Sequence, residues 1–156
     1  MVLSDTGFWL AFFNANDRFH AMAVERVQKL EEALITTWPV ITETSYLLGK
    51  RLGVSSQLRF ISVLETGYIE VFDLQTSHLI RIRQLIKQYK DLPMDLADAS
   101  LVLLAEELGH GQILSTDVRD FKTYRWKISF NSVRNKNSKC CFIKPITCLN
   151  SKGRIK

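Results

Sequence analysis

Short apolar runs alternate with longer amphipathic stretches along the first three quarters of the chain, and this alternation constrains the fold most. Residues 2–4, 68–74 and 112–115 have the length and composition of buried strands. Between them, apolar residues recur at spacings of three and four, which is the period of amphipathic helices. Strands separated by helices pair in parallel, with helices covering the sheet on both faces. The sequence therefore predicts an α/β fold in three layers, α/β/α, with a central, mainly parallel sheet.

Six segments carry the helical period. Helices are predicted over residues 6–13, 19–34, 39–52, 55–64, 77–89 and 95–108. Thr6 is the expected N-cap of the first helix. Residues 36–38 are expected to be extended, because the residue before a proline avoids the helical region, and Pro39 suits a first helical turn. A last strand is predicted at residues 128–130.

Length and composition indicate one soluble globular domain. The chain has 156 residues, of which 46% are hydrophobic and 24% are charged. No run approaches the roughly 18 consecutive apolar residues of a membrane span. The first residues carry Asp5 and lack the basic start and small-residue cleavage site of a signal peptide. We therefore expect a cytoplasmic protein without a membrane partner.

Acidic residues occur where burial is expected. Asp5 ends the first predicted strand, and Asp117 ends the strand at residues 112–115. In an open parallel sheet, ligands bind in the crevice beyond the carboxyl ends of the strands. Glu43 and Asp98 lie within helices whose other residues are largely apolar.

Clustered carboxylates are costly in a buried crevice, because each loses hydration and each repels the others. A divalent cation removes both costs, and hard oxygen ligands completed by water suit Mg²⁺ or Mn²⁺. The helix predicted at residues 95–108 would then pack in the core through Leu96, Leu101, Leu103 and Leu104, and its first turn would lie beside the crevice.

Four segments, taken in order and spacing, resemble the PIN-domain family, and within it the VapC-like toxins of bacterial type II toxin–antitoxin systems. They are LSDTGFWLA (3–11), WPVITETSYLL (38–48), DLPMDLADASLVLLAEELG (91–109) and ILSTDVRDF (113–121). Any one of them alone is a weak signal, whereas the four together are strong. The resemblance covers roughly residues 1–126 and predicts a PIN domain over residues 1–130.

The resemblance implies a metal-dependent ribonuclease. Its catalytic and metal-binding quartet would be Asp5, Glu43, Asp98 and Asp117. One or two Mg²⁺ or Mn²⁺ ions would activate water for in-line attack on an RNA phosphodiester, leaving a 5′-phosphate and a 3′-hydroxyl. A cognate antitoxin, whose C-terminal segment blocks the acidic groove, and a homodimer are further expectations from the family.

Residues near the quartet have weaker assignments. Asp95 either faces the metal or complements the positive end of its helix, and we favour the structural role. Thr6 and Thr116 are expected to steady the ligands. Asp120 is either an accessory ligand or a turn residue paired with its neighbour. Basic residues after the last acid are expected to contact RNA phosphates: Arg119, Lys122 and Arg125.

Residues 131–156 form an atypical basic tail that we expect to be poorly ordered. Residues 1–126 carry a net charge of −3, whereas residues 127–156 carry +8 and no acid. All three cysteines lie in this tail, without the spacing of a zinc site or a disulfide framework. The tail is either a basic arm that raises nonspecific RNA affinity or an abnormal end of the reading frame. We favour the second interpretation, which predicts that deleting residues 132–156 preserves nuclease activity.

Two other functions stay open from the sequence. The chain could process or degrade RNA without an antitoxin, or be a catalytically weak PIN module that binds RNA or protein.

Overall fold

Four parallel strands form the sheet at the centre of the described chain. The computed structural model describes residues 1–92 and 94–116. The strands are β1 (Val2–Ser4), β2 (Leu34–Thr37), β3 (Ile69–Phe72) and β4 (Ile113–Leu114). Their order is β3-β2-β1-β4, and Leu3 pairs with Ile35 on one side and Ile113 on the other. All four carboxyl ends therefore lie at the same edge of the sheet.

Six helices flank the sheet within the described residues. They are α1 (Thr6–Phe13), α2 (His20–Gln28), α3 (Trp38–Leu52), α4 (Val54–Glu65), α5 (Leu79–Gln88) and α6 (Leu96–Leu108), with a short 3₁₀ turn at Thr76–His78. Helix α3 contacts α1, α4 and α6, and α5 packs on α6. The predicted α/β/α class with a parallel sheet is confirmed.

Helix α6 lies in the core. Residues 99–105 are all buried, which is the burial expected of a helix that is apolar around its circumference. Burying each of its larger side chains contributes about 1.5–3 kcal/mol. Leu101, Leu103 and Leu104 are buried as predicted, but Leu96 is 48% exposed, so its assignment to the core was wrong. Leu96 is the first helical residue, and its position leaves it outside the packed stretch.

The predicted helix at residues 19–34 was wrong in its second half. Helix α2 ends at Gln28, and Leu34 begins β2. Leu34 continues the helical spacing of Val27 and Leu30, but it belongs to a four-residue run that is buried throughout. A fully buried short strand has no alternation, so its pattern resembles a helical stripe.

Helix α3 begins one residue earlier than predicted, at Trp38, with Pro39 in its first turn.

The described residues contain no helix that is both long enough and apolar enough to span a bilayer. The predicted strand at 128–130, the domain end at 130 and the tail at 131–156 lie outside the described residues.

Candidate active site

The topology places a crevice between β1 and β4. From β1 the chain builds β2 and then β3 on one side, and β4 later adds to the other side of β1. Such a reversal of strand order opens a crevice at the carboxyl ends of the two strands. Asp5 directly follows β1, and Ser115 and Thr116 directly follow β4. The topology therefore brings these residues to one place.

Asp5 is the N-cap of α1. Its backbone is extended, and its Oδ1 accepts the N–H of Phe8 at 2.6 Å. Its Oδ2 accepts the hydroxyl of Ser115 at 2.5 Å, and the residue is only 5% exposed. The prediction of Thr6 as the cap was wrong, because the chain turns from strand to helix at Asp5 and Thr6 is already helical. Both oxygens of Asp5 are thus held in fixed directions.

Thr6 instead contacts Glu43. The Thr6 hydroxyl donates to Oε2 of Glu43 at 2.6 Å. Glu43 is half-buried and lies within α3, which packs on α1. This hydrogen bond joins the two helices and orients the Glu43 carboxylate, and the role of Thr6 beside a metal ion stays a prediction.

Asp95 and Asp98 occupy the start of α6. Asp95 is the N-cap, and its Oδ1 accepts the N–H of Asp98 at 2.9 Å. Asp95 is exposed, whereas Asp98 is half-buried in the first helical turn. Asp95 therefore performs a helix-capping role, and its contact with a metal stays a prediction.

One cavity brings six of the predicted residues together. The acidic cavity, as we call it, has a volume of about 290 Å³ and is lined by Asp5, Thr6, Glu43, Asp95, Asp98 and Thr116, together with Gly7 and apolar neighbours. Four carboxylates share it, and they come from three segments that are distant in sequence: the β1–α1 junction, α3 and the start of α6. The remaining predicted residues lie outside the described residues: Asp117, Arg119, Asp120, Lys122 and Arg125. Asp117 is adjacent in sequence to Thr116, a residue of the cavity wall.

Gly7 was not predicted as a site residue. A methyl group at this position would overlap the Thr116 hydroxyl and approach Asp5 Oδ2 to 3.5 Å. Glycine at this position lets α1 and the Thr116 side chain at the end of β4 approach each other closely. The sequence signal that could have identified Gly7 as a site residue is its position directly after Asp5 and Thr6.

Buried hydroxyls near the strand ends were also missed. Ser115 bonds Asp5, and Thr37 shares a hydrogen bond of 2.6 Å with Ser100 of α6. Thr36 donates to the backbone oxygen of Ser4 at 2.9 Å. These bonds satisfy polar groups that would be costly to bury alone, and they fix β1, β2, β4 and α6 relative to one another.

The ligand chemistry of the cavity fits a hydrated divalent cation. Among residues 1–92 and 94–116, no group of three His, Cys, Asp or Glu side chains is arranged to hold an ion by itself. Mg²⁺ normally retains several waters and takes only one or two protein carboxylates directly. Each carboxylate oxygen has two lone pairs, so the hydrogen bonds to Asp5 leave it able to accept further. The four carboxylates that line the cavity are thus a suitable oxygen donor set.

Comparisons with known proteins agree with this architecture. The family model described as PIN domain matches residues 2–127. Ribonuclease VapC26 of Mycobacterium tuberculosis (strain ATCC 25618 / H37Rv) is 29% identical over 124 residues, which are 80% of this chain and 92% of that protein.

A solved structure shares the fold. The crystal structure of Mycobacterium tuberculosis VapC20, described as a toxin that cleaves the sarcin–ricin loop, superposes with a TM-score of 0.75. The match covers 83% of this chain and 98% of that one, at 19% sequence identity.

Proposed function

The chain belongs to the PIN-domain family, and from this premise we propose that it is an endoribonuclease dependent on Mg²⁺ or Mn²⁺ that acts as the toxin of a type II toxin–antitoxin pair. The observation that carries the proposal is the convergence of Asp5, Glu43 and Asp98 on one cavity. These residues come from three separate segments, and like charges in one cavity repel one another unless a cation is present.

The residues of the cavity have distinct roles in this proposal. Asp5, Glu43 and Asp98, with Asp117, would hold the metal. The bound ion would acidify a water and neutralise charge that develops on the phosphate. Ser115 and the N–H of Phe8 hold the Asp5 carboxylate in one orientation, and Thr6 holds that of Glu43. Because these contacts exist before substrate binds, the ligands need little rearrangement during the reaction.

The toxin assignment is supported by the similarity to ribonuclease VapC26, which extends over nearly the whole of that protein. The VapC20 structure supports the fold alone, and its sarcin–ricin loop substrate is a property of that protein. We propose that this chain acts on RNA in the cytoplasm and is restrained by an antitoxin that covers the acidic cavity. Homodimer formation remains a proposal.

The proposal is tested by cleavage of total cellular RNA with purified protein. We expect Mn²⁺ or Mg²⁺ to support cleavage, EDTA to abolish it, and Asp98→Asn or Glu43→Gln to reduce it by at least about 100-fold, the range over which removal of a key electrostatic group acts. Asp91→Asn is the matched control, because Asp91 is exposed and outside the cavity. Cleavage that is unchanged in EDTA or in Asp98→Asn would exclude this function.

A metal-binding measurement separates binding from turnover. Mn²⁺ should raise the thermal unfolding midpoint of the wild-type protein, and this increase should be smaller in Glu43→Gln.

Co-expression with the neighbouring gene then distinguishes a toxin from an RNA-processing enzyme. Growth arrest that the neighbour relieves supports the toxin, whereas growth that is indifferent to the neighbour supports RNA processing.

A further inference from the structure

A second, apolar surface adjoins the acidic cavity. Trp38, Pro39, Tyr46, Leu74 and Leu96 line an open groove of about 620 Å³, which we call the aromatic groove. Glu43, Asp95 and Ala97 line both the groove and the acidic cavity, so that the two share a wall. A linear ligand that occupies one of them can therefore continue into the other.

Two large aromatic side chains of the groove are open to solvent. Trp38 is 57% exposed and Tyr46 is 60% exposed, and both project from α3. Trp38, Thr42, Tyr46 and Lys50 recur at intervals of four, which places them along one face of the helix. The Thr42 hydroxyl donates to the backbone oxygen of Trp38 at 2.9 Å. Clustered exposed aromatic rings are a mark of a binding surface, unlike single exposed apolar residues.

The spacing of the two rings defines what they can accept. Eight residues of helix separate them by about 12 Å along the helix axis. This distance is too large for the rings to enclose one flat group between them, so each ring offers a separate stacking platform. The Lys50 ammonium lies 5.5 Å from the centre of the Tyr46 ring. Lys50 thus adds one positive charge beside Tyr46, outside the groove lining, whereas the charged residues of the lining itself are Glu43 and Asp95. What the groove offers a single-stranded nucleic acid is stacking on aromatic rings.

We propose that the aromatic groove is a base-stacking subsite for unpaired nucleotides next to the bond that is cleaved. The proposal rests on the ribonuclease function proposed above. With the scissile phosphate in the acidic cavity, the adjoining nucleotides cross the shared wall and stack on Trp38 and Tyr46, while Lys50 contacts a phosphate.

The subsite defines a class of substrate. Bases in a duplex are stacked on one another and do not present their faces, whereas bases in loops and single strands do. The chain should therefore select single-stranded or looped RNA over duplex RNA. The proposed function places the scissile phosphate in the acidic cavity, so the continuity of the groove with that cavity, the two separate stacking rings and the cation beside Tyr46 favour RNA as the occupant.

The test uses the full chain in EDTA, which separates binding from cleavage, and fluorescein-labelled single-stranded oligoadenylate as the probe. Fluorescence anisotropy should show that Trp38→Ala and Tyr46→Ala each weaken binding by about 10-fold, the loss expected for one base–aromatic stack. Trp38→Phe and Tyr46→Phe keep a ring and should bind nearly as the wild type does. Tyr68→Ala is the matched control, because Tyr68 is 82% exposed and does not line the groove.

A duplex of the same oligoadenylate with oligouridylate should bind more weakly, with no difference between wild type and Trp38→Ala. Failure of the wild-type protein to bind oligoadenylate, or equal binding by wild type and Trp38→Ala, overturns the subsite. Dissociation of a dimer in Trp38→Ala, with RNA binding unchanged, also overturns it and identifies the groove as a protein interface.

Cleavage assays distinguish failure of the subsite from failure of the proposed function. Suppose that the wild-type protein cleaves RNA with Mn²⁺ and that the Trp38→Ala variant cleaves it with the same KM. This pair of results would refute the subsite and leave the nuclease function standing. Oligoadenylate binding that depends on Trp38, without any metal-dependent cleavage, would retain the subsite and refute the nuclease.

Discussion

Ser115 donates its hydroxyl to Oδ2 of Asp5 at 2.5 Å and so joins two residues that are 110 positions apart. They follow the neighbouring strands β1 and β4, and both are buried. The Phe8 N–H holds the other oxygen of the same carboxylate. The orientation of Asp5 therefore depends on the pairing of β1 with β4 and on the start of α1.

Replacing Ser115 with alanine should destabilise the protein. Hydrogen bonds to charged groups contribute about 1.5–3 kcal/mol, and the variant leaves a buried carboxylate oxygen without this donor. The free energy of unfolding, measured by urea titration, should fall by about that amount. Ser62→Ala, on the exposed side of α4, should change it little. Equal stability of the two variants would show that the Ser115 bond is not formed in solution.

Replacing Gly7 with alanine should disturb the cavity. The added methyl group overlaps the Thr116 hydroxyl, so that either the Thr116 side chain must rotate or α1 and the end of β4 must move apart. We expect a loss of about 1–3 kcal/mol in stability, the usual cost of overpacking, together with reduced cleavage. Thermal unfolding in EDTA measures the first effect.

A double variant checks the cause of the Gly7 effect. Thr116→Ala removes the hydroxyl that the new methyl group meets, so Gly7→Ala combined with Thr116→Ala should lose less stability than the sum of the two single changes. Gly49→Ala is the matched helical glycine, since its methyl group would meet only the end of the Gln57 side chain. Strict additivity would contradict the contact.

Replacing Thr6 with valine should weaken metal binding. Valine keeps the shape of threonine but cannot donate to Glu43, and loss of such an outer hydrogen bond commonly lowers metal affinity by about 10-fold or more. The Mn²⁺ concentration that gives half-maximal cleavage should rise accordingly, whereas Thr6→Ser should resemble the wild type. A Thr6→Ser variant as impaired as Thr6→Val would assign the effect to packing.

The two acids at the start of α6 should respond differently to neutralisation. Asparagine caps a helix as well as aspartate does, so Asp95→Asn should preserve stability and most of the activity. Asp95→Ala should cost about 1 kcal/mol in the free energy of unfolding through loss of the bond to the Asp98 N–H. Asp98→Asn should abolish cleavage while the protein stays folded. Loss of cleavage in Asp95→Asn would instead make Asp95 a metal ligand.

The elements with long periodic patterns were predictable from the sequence, and so were the acids at their ends. The largely apolar α6 and the strand–acid junction at Asp5 are the clearest cases, because local pattern and tertiary burial agree there. The start of β2 was assigned to a helix, because Leu34 is compatible with a helical spacing and with a buried strand alike, and no strand was predicted there. Only the pairing with β1 and β3 decides between these conformations.

Residues that support the site were harder to predict than its acids. Ser115, Thr37 and Ser100 are small polar residues whose roles depend on partners up to 110 positions away. Nothing in the spacing of these residues identifies those partners. The close contact that favours glycine at position 7 comes from the position of Thr116, which follows from strand order and not from local sequence.

The Asp5 carboxylate accepts two hydrogen bonds, one at the start of α1 and one from the residue after β4. This affects how a catalytically inactive variant of the protein should be prepared. A substitution there alters the beginning of a helix and a bridge between strands along with any chemistry, so loss of toxicity in such a variant would be ambiguous. Glu43 lies inside α3, away from helix ends and strand junctions. Trapping an uncleaved RNA complex for crystallography is therefore better attempted with a change at position 43.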